Sequence, residues 1–197
     1  MKKLILICML ISPLCRAQDS TNTGTRLANP INHLRENVWR VLFLSPGVAN
    51  EVRLGVRTTL SSGLRLDGAI VGGGNNDGRL YTSYYFSPVL SSGIRYYYNL
   101  ERRLRKEKSI RYNSANYLTI RANYFLPPFV ERIDARAAII TPEQGISVQA
   151  MWGIQRTYRR NFYLNLALGV GASQRYVGLA SDFALGYTFP GKPQRLR

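Results

Sequence analysis

The chain has 197 residues, with 27 Lys and Arg against 11 Asp and Glu and a formal charge of +16. That length suits one domain and is enough for a sizeable core or a closed barrel. With 45% hydrophobic and 19% charged residues, the composition excludes a disordered chain and a bundle of membrane helices.

Met1-Lys2-Lys3 is a short basic start, and Leu4 to Leu14 is apolar apart from Ser12 and Pro13. Cys15-Arg16-Ala17 then places small residues where a signal peptidase reads them. The pattern predicts a secretory signal peptide over 1–17, cut before Gln18. Its apolar run, 11 residues from 4 to 14, falls short of the ~20 a spanning helix needs. A lipid anchor on Cys15 is disfavoured, because Leu14 occupies a site that would need a small residue. Cleavage removes Lys2, Lys3 and Arg16 and no acid, lowering the charge from +16 to +13. It also removes Cys8 and Cys15, the only cysteines. Disulfide scaffolds, zinc–thiolate sites and Cys nucleophiles are thereby excluded together. Such a basic balance would ordinarily point to nucleic acid. Export points instead to anionic lipid or surface polysaccharide.

A polar segment over 18–36 leads into 37–189, where the period is two. The stretch 38–45 is apolar on both faces. Next, Val52, Leu54 and Val56 oppose Glu51, Arg53, Gly55 and Arg57, and Leu64, Leu66 and Ile70 oppose Arg65, Asp67 and Ala69. Leu90, Ile94, Tyr96 and Tyr98 oppose Ser91, Gly93, Arg95 and Tyr97. Leu118, Ile120, Ala122, Tyr124 and Leu126 oppose Tyr117, Thr119, Arg121 and Asn123. The runs Ile146 to Gln155, Phe162 to Val170 and Phe183 to Phe189 alternate in the same way. Successive strand side chains point to opposite faces, so these are strands. Eight are predicted, over 38–45, 48–58, 63–72, 86–99, 115–126, 145–156, 161–171 and 180–189, with no amphipathic helix.

A soluble ligand-binding barrel and an outer-membrane barrel both alternate, with opposite senses. Here one face carries Leu, Ile, Val and Phe, and the other carries Glu51, Arg53, Arg57, Arg65, Asp67, Arg95 and Arg121. The strands have about the 9–11 residues needed to cross tilted. Tyr81, Tyr84, Tyr85, Tyr117, Tyr158, Tyr163 and Tyr187 lie near strand ends, which suits aromatic girdles. The last strand closes on Phe189, and a basic tail over 190–197 follows. The expected fold is therefore all-β: an eight-stranded antiparallel transmembrane β-barrel in the outer membrane of a Gram-negative envelope, preceded by a cleaved signal peptide. A closed sheet leaves no edge, and with eight strands side chains fill the lumen. The seven lumen charges form a network in which Glu51 and Asp67 each pair with Arg, since unpaired buried charge is costly.

With both chain ends in the periplasm, Ser61-Ser62-Gly63 and Arg159-Arg160-Asn161 are expected to be short periplasmic turns; 100–114 is long for a third, and lies outside instead if the first two strands are counted wrongly by one. Outer loops then fall at 73–85, 127–144 and 172–179. The long turn carries Arg102, Arg103, Arg105, Lys106, Lys108 and Arg111 against Glu101 and Glu107. This basic turn suits contact with anionic head groups, cell wall or another envelope protein.

Pro88-Val89-Leu90, Arg95-Tyr96-Tyr97-Tyr98-Asn99-Leu100 followed by Arg102-Arg103, Asn113-Ser114-Ala115-Asn116-Tyr117 and Trp152-Gly153-Ile154 carry a resemblance. Over much of 38–189 the chain resembles an uncharacterised outer-membrane barrel family, similar in architecture to the small eight-stranded barrels of the OmpA/OmpX type. The resemblance implies the fold and transfers no catalytic residue. The sole histidine, His33, precedes the first strand, so no barrel residue offers a base near neutral pH. Gly72 to Gly78 lacks the Gly-Lys-Ser/Thr ending of a phosphate loop. Asp77 alone cannot make a calcium site, and Glu131, Asp134 and Glu143 share one loop rather than a firm scaffold. The expectation is a non-enzyme without cofactor or nucleic-acid partner, in contact with outer-membrane lipid. Its role is structural or interactive; the alternative is a narrow anion channel lined by the inward Arg. An envelope-lipid enzyme and a soluble periplasmic barrel are weaker alternatives.

Overall fold

Alternating polar and apolar side chains on β-branched and aromatic-rich segments favour paired strands, and most of the described residues from Asn37 onward pair in this way. A computed structural model describes residues 34–74, 80–132, 144–174 and 177–189. The expected leader over 1–17, the stretch 18–33 with His33, Asp134, Glu143 and the tail over 190–197 lie outside the described residues.

The strands are β1 (Asn37–Leu42), β2 (Gly47–Arg53), β3 (Thr58–Gly74), β4 (Leu80–Tyr96), β5 (Asn116–Phe125), β6 (Val130–Arg132), β7 (Gly145–Thr157), β8 (Phe162–Ser173) and β9 (Val177–Thr188). All pairings are antiparallel. They run β1-β2-β3-β4-β5-β7-β8-β9 and return to β1 through Val41↔Tyr187. This is a ring of eight strands, compatible with a β-barrel. β6 continues the path of β5 along β4, with Phe86↔Val130. Pro127 and Pro128 cannot donate to the ladder, which separates the two segments.

Three boundaries differ from the sequence expectation. Ser61-Ser62-Gly63 lies inside β3, paired with Glu51, Asn50 and Ala49. The turn between β2 and β3 is at 54–57 instead, where the Leu54 and Gly55 amides donate to the Thr58 carbonyl. Small residues in a strand interior look like a turn from sequence, yet here Gly63 lets neighbouring backbone approach, a built Cβ lying 3.0 Å from the Val48 carbonyl. β3 and β4 extend through much of the expected 73–85 loop, as far as Gly74↔Leu80. The 100–114 segment contains a helix, α1 (Leu100–Arg105), and a 3-10 turn at Arg111–Asn113. Six residues are too few for a helical period to stand out.

The ring is not closed along its whole height. β3 pairs with β2 only from Thr59 to Arg65, and β9 pairs with β1 only through Gly186 to Thr188. Above the β1–β2 hairpin, the outer parts of β3 and β9 have no strand on that side among the described residues. The cause is the early turn at 43–46, which ends β1 after six residues.

The polarity of the wall is inverted relative to a water-soluble protein. Arg40, Glu51, Thr59, Arg95, Thr119, Arg121, Asn123, Gln155, Asn165 and Asp182 are buried inside. Leu64, Ile94, Leu118, Ile120, Val148, Trp152, Leu168, Val170, Leu179 and Phe183 are exposed outside. Strand alternation then places Asn37, Arg53, Tyr96, Asn116, Thr157, Phe162 and Thr188 at one end, together with both described termini and the 97–115 segment. We call this the terminal end. Trp39, Tyr96, Tyr98, Tyr158, Phe162, Tyr187 and Phe189 are exposed near it. Of the expected girdle tyrosines, Tyr85, Tyr117 and Tyr163 point inward and are buried. They occupy the inward parity of their strands, and strand-end position alone did not distinguish the faces. Tyr158 and Tyr187 are exposed.

A small apolar cluster of Leu34, Tyr97, Leu100, Ala115, Tyr117, Met151, Ala167 and Ala180 sits inside, with Ile110 against it. α1 and the 3-10 turn thus bring side chains to the terminal end of the lumen.

Candidate functional site in the lumen and at the terminal rim

Two carboxylates organise the interior. Val38↔Glu51 and Arg40↔Ala49 are partners on the β1–β2 ladder, so Arg40 and Glu51 are diagonal neighbours on the inward face. Arg40 Nη1 donates to Glu51 Oε2 at 2.7 Å, the two side chains being 1% and 0% exposed. Tyr97 Oη and Asn113 Nδ2 donate to Glu51 Oε1 at 2.7 and 2.8 Å. Gln155 Nε2 reaches Oε2 at 3.4 Å. Arg95 Nη1 stands 3.8 Å from Oε2 and donates to Gln155 Oε1 at 2.7 Å. Guanidinium–ring contacts hold both arginines: Arg40 lies 4.6 Å from the Tyr163 centroid and Arg95 4.7 Å from that of Tyr117. Such contacts strengthen when water is excluded.

The 3-10 turn locks this cluster. Its Tyr112 carbonyl accepts from Arg40 Nη2 at 3.2 Å. Tyr112 and Asn113 adopt φ of 50° and 63°, a left-handed conformation that costs free energy in non-glycine residues. Burial of both side chains and the bond from the Arg35 amide to Asn113 Oδ1 at 2.8 Å hold the turn there.

The second carboxylate, Asp182, lies further from the terminal end. Its Oδ1 accepts from Arg65 at 2.8 Å and pairs with Arg121 at 3.1 Å. Its Oδ2 accepts from Asn165 Nδ2 at 2.8 Å, and Asn165 Oδ1 accepts from Tyr117 Oη at 2.7 Å. Arg121 also donates to Gln149 Oε1 at 2.8 Å. Tyr117 fits because its partner on β7 is Gly153: a Cβ built there would lie 2.6 Å from the phenol oxygen.

Of the lumen residues named from sequence, Glu51, Arg95 and Arg121 are buried in these clusters and Arg65 joins Asp182. Arg53 turns to the rim, donating to the Leu34 carbonyl and Glu36. Arg57 pairs with Glu101 in the exposed turns. Asp67 does not pair with Arg among the described residues; it accepts from the Gly68 amide at 3.2 Å. Arg65 points to Asp182 across the lumen, 117 residues away in sequence.

Sequence reasoning missed Arg40, Asp182, Tyr97 and Gln155. Arg40 was hidden in a stretch apolar on both faces. Asp182 had a usable signal, since it shares the parity of Ala184 and Gly186 opposite the apolar row of β9.

The basic turn lies on the rim. Arg102, Arg105, Lys106, Lys108 and Arg111 are exposed and Arg103 is half-buried. Arg111 donates to Asn161 Oδ1 at 2.8 Å. Arg103 donates to the Ser109 carbonyl through Nε and Nη2 at 3.2 and 2.6 Å.

Chemically, the lumen holds charge in place. Each of the two carboxylates accepts from several donors, and the four guanidinium groups contact carboxylates, carbonyl and amide oxygens and rings, while the Nε atoms of Arg40, Arg65 and Arg121 are buried without a partner among the described residues. Among the described residues no group of three His, Cys, Asp or Glu is placed to hold a metal ion. Comparison with family models, curated proteins and solved structures produced no match.

Proposed function

We propose that this chain is a non-enzymatic, integral outer-membrane β-barrel with a side-chain-filled lumen and a structural or interaction role. The observation that carries this reading is the inverted polarity of the ring. Leu168 and Ile120 are each 66% exposed and Leu179 is 96% exposed, while arginines and carboxylates are buried inside. A soluble protein rarely leaves so continuous an apolar surface in water. Lipid tolerates it, and strand pairing satisfies the backbone where lipid cannot over the part of the ring that is closed. The exposed aromatics near the terminal end support an interfacial belt there. Both described termini lie at that end, which supports a periplasmic assignment for it after export through the 1–17 leader.

Leu168→Arg and Ile120→Arg test the reading. A lipid-facing Arg costs about 2–4 kcal/mol at the bilayer midplane, whereas an exposed site in water shifts stability by no more than about 0.5 kcal/mol. The expected result is a loss of that size in folding free energy into phosphatidylcholine vesicles, with a heat-dependent gel shift for the parent protein. Wild-type folding of both variants in water, without detergent or lipid, refutes it.

The anion-channel reading draws on the four guanidinium groups around two carboxylates. Fully buried Leu34, Tyr97 and Leu100 with Tyr112 at the terminal end weigh against it. Planar-bilayer recording is expected to show no steady current; a sustained anion-selective current reverses the preference.

A further inference from the structure

Where α1 meets β5 and β7, a pocket of ≈ 210 Å³ is lined by Arg102, Arg103, Lys106, Lys108 and Arg156, with Asn99 and Asn116. Five cations share it, and no carboxylate lines it. The nearby acid Glu101 is turned away onto Arg57. Neutral acceptors hold the side chains of Arg156 and Arg103. Arg156 donates to Asn116 Oδ1 and to the Gln155 carbonyl, both at 2.7 Å. The Asn116 amide donates to Asn99 Oδ1 at 2.8 Å. The Lys106 and Lys108 amides both return to the Arg103 carbonyl, which folds the basic loop over the pocket. Partial burial pushes the Arg103 guanidinium below its usual range, because desolvation disfavours the charged form.

The pocket is continuous with the outer wall. Asn116, Leu118, Ile120 and Ala122 form one outward row of β5, facing Ile154, Trp152, Ala150 and Val148 of β7. Arg156 is the next outward residue beyond Ile154. An open trough of ≈ 940 Å³ runs along these rows, lined by Ile94, Leu118, Ile120, Ala122, Ala150 and Trp152 among others. The small side chains of Ala122 and Ala150 make the depression. At its junction with the pocket, Trp152 Nε1 and Asn116 Nδ2 both donate to Tyr98 Oη, at 2.6 and 3.4 Å. Along the wall the order is therefore cations, a polar junction, then an apolar trough. Leu118 to Ala122 spans about 13 Å at a strand rise of about 3.3 Å per residue, comparable with one leaflet of a hydrocarbon core about 30 Å thick.

We propose that this composite site binds an anionic glycerophospholipid of the periplasmic leaflet, its phosphate in the basic pocket and one acyl chain in the trough. The inference rests on the outer-membrane reading above and deepens it by naming the lipid class and its seat. Five cations without an acid select a negative headgroup over a zwitterionic one. The trough selects an acylated anion over a soluble one.

The chain has two tryptophans, so Trp39→Phe leaves Trp152 as a single reporter inside the site. The full chain carrying this change is placed in phosphatidylcholine nanodiscs. Trp152 quenching is compared for brominated phosphatidylglycerol and brominated phosphatidylcholine at equal mole fraction. Preferential quenching by phosphatidylglycerol is expected. Lys106→Gln with Lys108→Gln, both exposed and outside the strands, is expected to weaken the preference roughly thirtyfold. Ala150→Phe, which fills the trough from the lipid side, is expected to reduce quenching with the gel shift unchanged. Equal quenching by the two lipids overturns the proposed site and leaves the membrane reading standing. Absence of quenching by either lipid overturns both. Relief of quenching by inorganic phosphate alone, or an unchanged preference in the double Lys variant, overturns the assignment to phospholipid.

Discussion

Replacing Glu51 by Gln tests whether the buried ion network holds the ring together. The change is nearly isosteric, so packing is preserved and the effect is electrostatic. In the parent, Glu51 is fully buried and accepts from Arg40, Tyr97, Asn113 and Gln155, with Arg95 nearby. The Gln amide keeps one acceptor and turns its NH₂ toward groups that are themselves donors. Arg40, 1% exposed, is then left without a carboxylate. Removing one partner of a buried pair costs about 3–5 kcal/mol, and the opposed donor adds an unsatisfied polar group on the order of 1–3 kcal/mol. Because the neighbours relax, the lower range is the working figure: about 3–5 kcal/mol. The assay is reversible urea unfolding in detergent micelles, followed by tryptophan fluorescence and the heat-dependent gel shift. Glu36→Gln is the matched control, because Glu36 is 73% exposed in its pair with Arg53 and an exposed pair contributes about 0–1 kcal/mol. Adding Arg40→Gln to Glu51→Gln removes the stranded cation and is expected to restore part of the loss, giving a favourable coupling in the double-mutant cycle. A Glu51→Gln protein within about 1 kcal/mol of the parent refutes the reasoning.

Two further outcomes follow from the same geometry. Gly153→Val drives a side chain into the Tyr117 ring, which its bond to Asn165 prevents from moving away; a loss of about 1–3 kcal/mol is expected by urea unfolding, relieved when Tyr117→Ala is added. Arg57→Gln breaks only exposed contacts, with Glu101 and with Tyr96, so the unfolding midpoint is expected to stay close to that of the parent, and a large drop contradicts mere surface contacts.

The period of two along the chain determined most of the strands and which of their residues share a face. Phe162 to Val170 and Ile146 to Gln155 show this directly: each apolar row is mostly exposed and each opposite row mostly buried. Alternation is a local property of the extended backbone, so sequence carries it. The same logic failed at Ser61-Ser62-Gly63, where small residues serve close strand approach rather than a turn, and at α1, which is too short to declare its period. Glu51, Arg95 and Arg121 were recognisable as inward charges from parity. Their partners were not, because pairing depends on register and on closure of the ring. Arg40 meets Glu51 through the β1–β2 register, and Arg65 meets Asp182 only because β3 and β9 face each other across the lumen. The apolar cluster of Leu34, Tyr97 and Leu100, and the pocket that joins Arg156 to the basic loop, likewise bring together residues far apart in sequence. Composition placed the basic residues on the chain; only the folded ring decided which of them face carboxylates and which stand together without one.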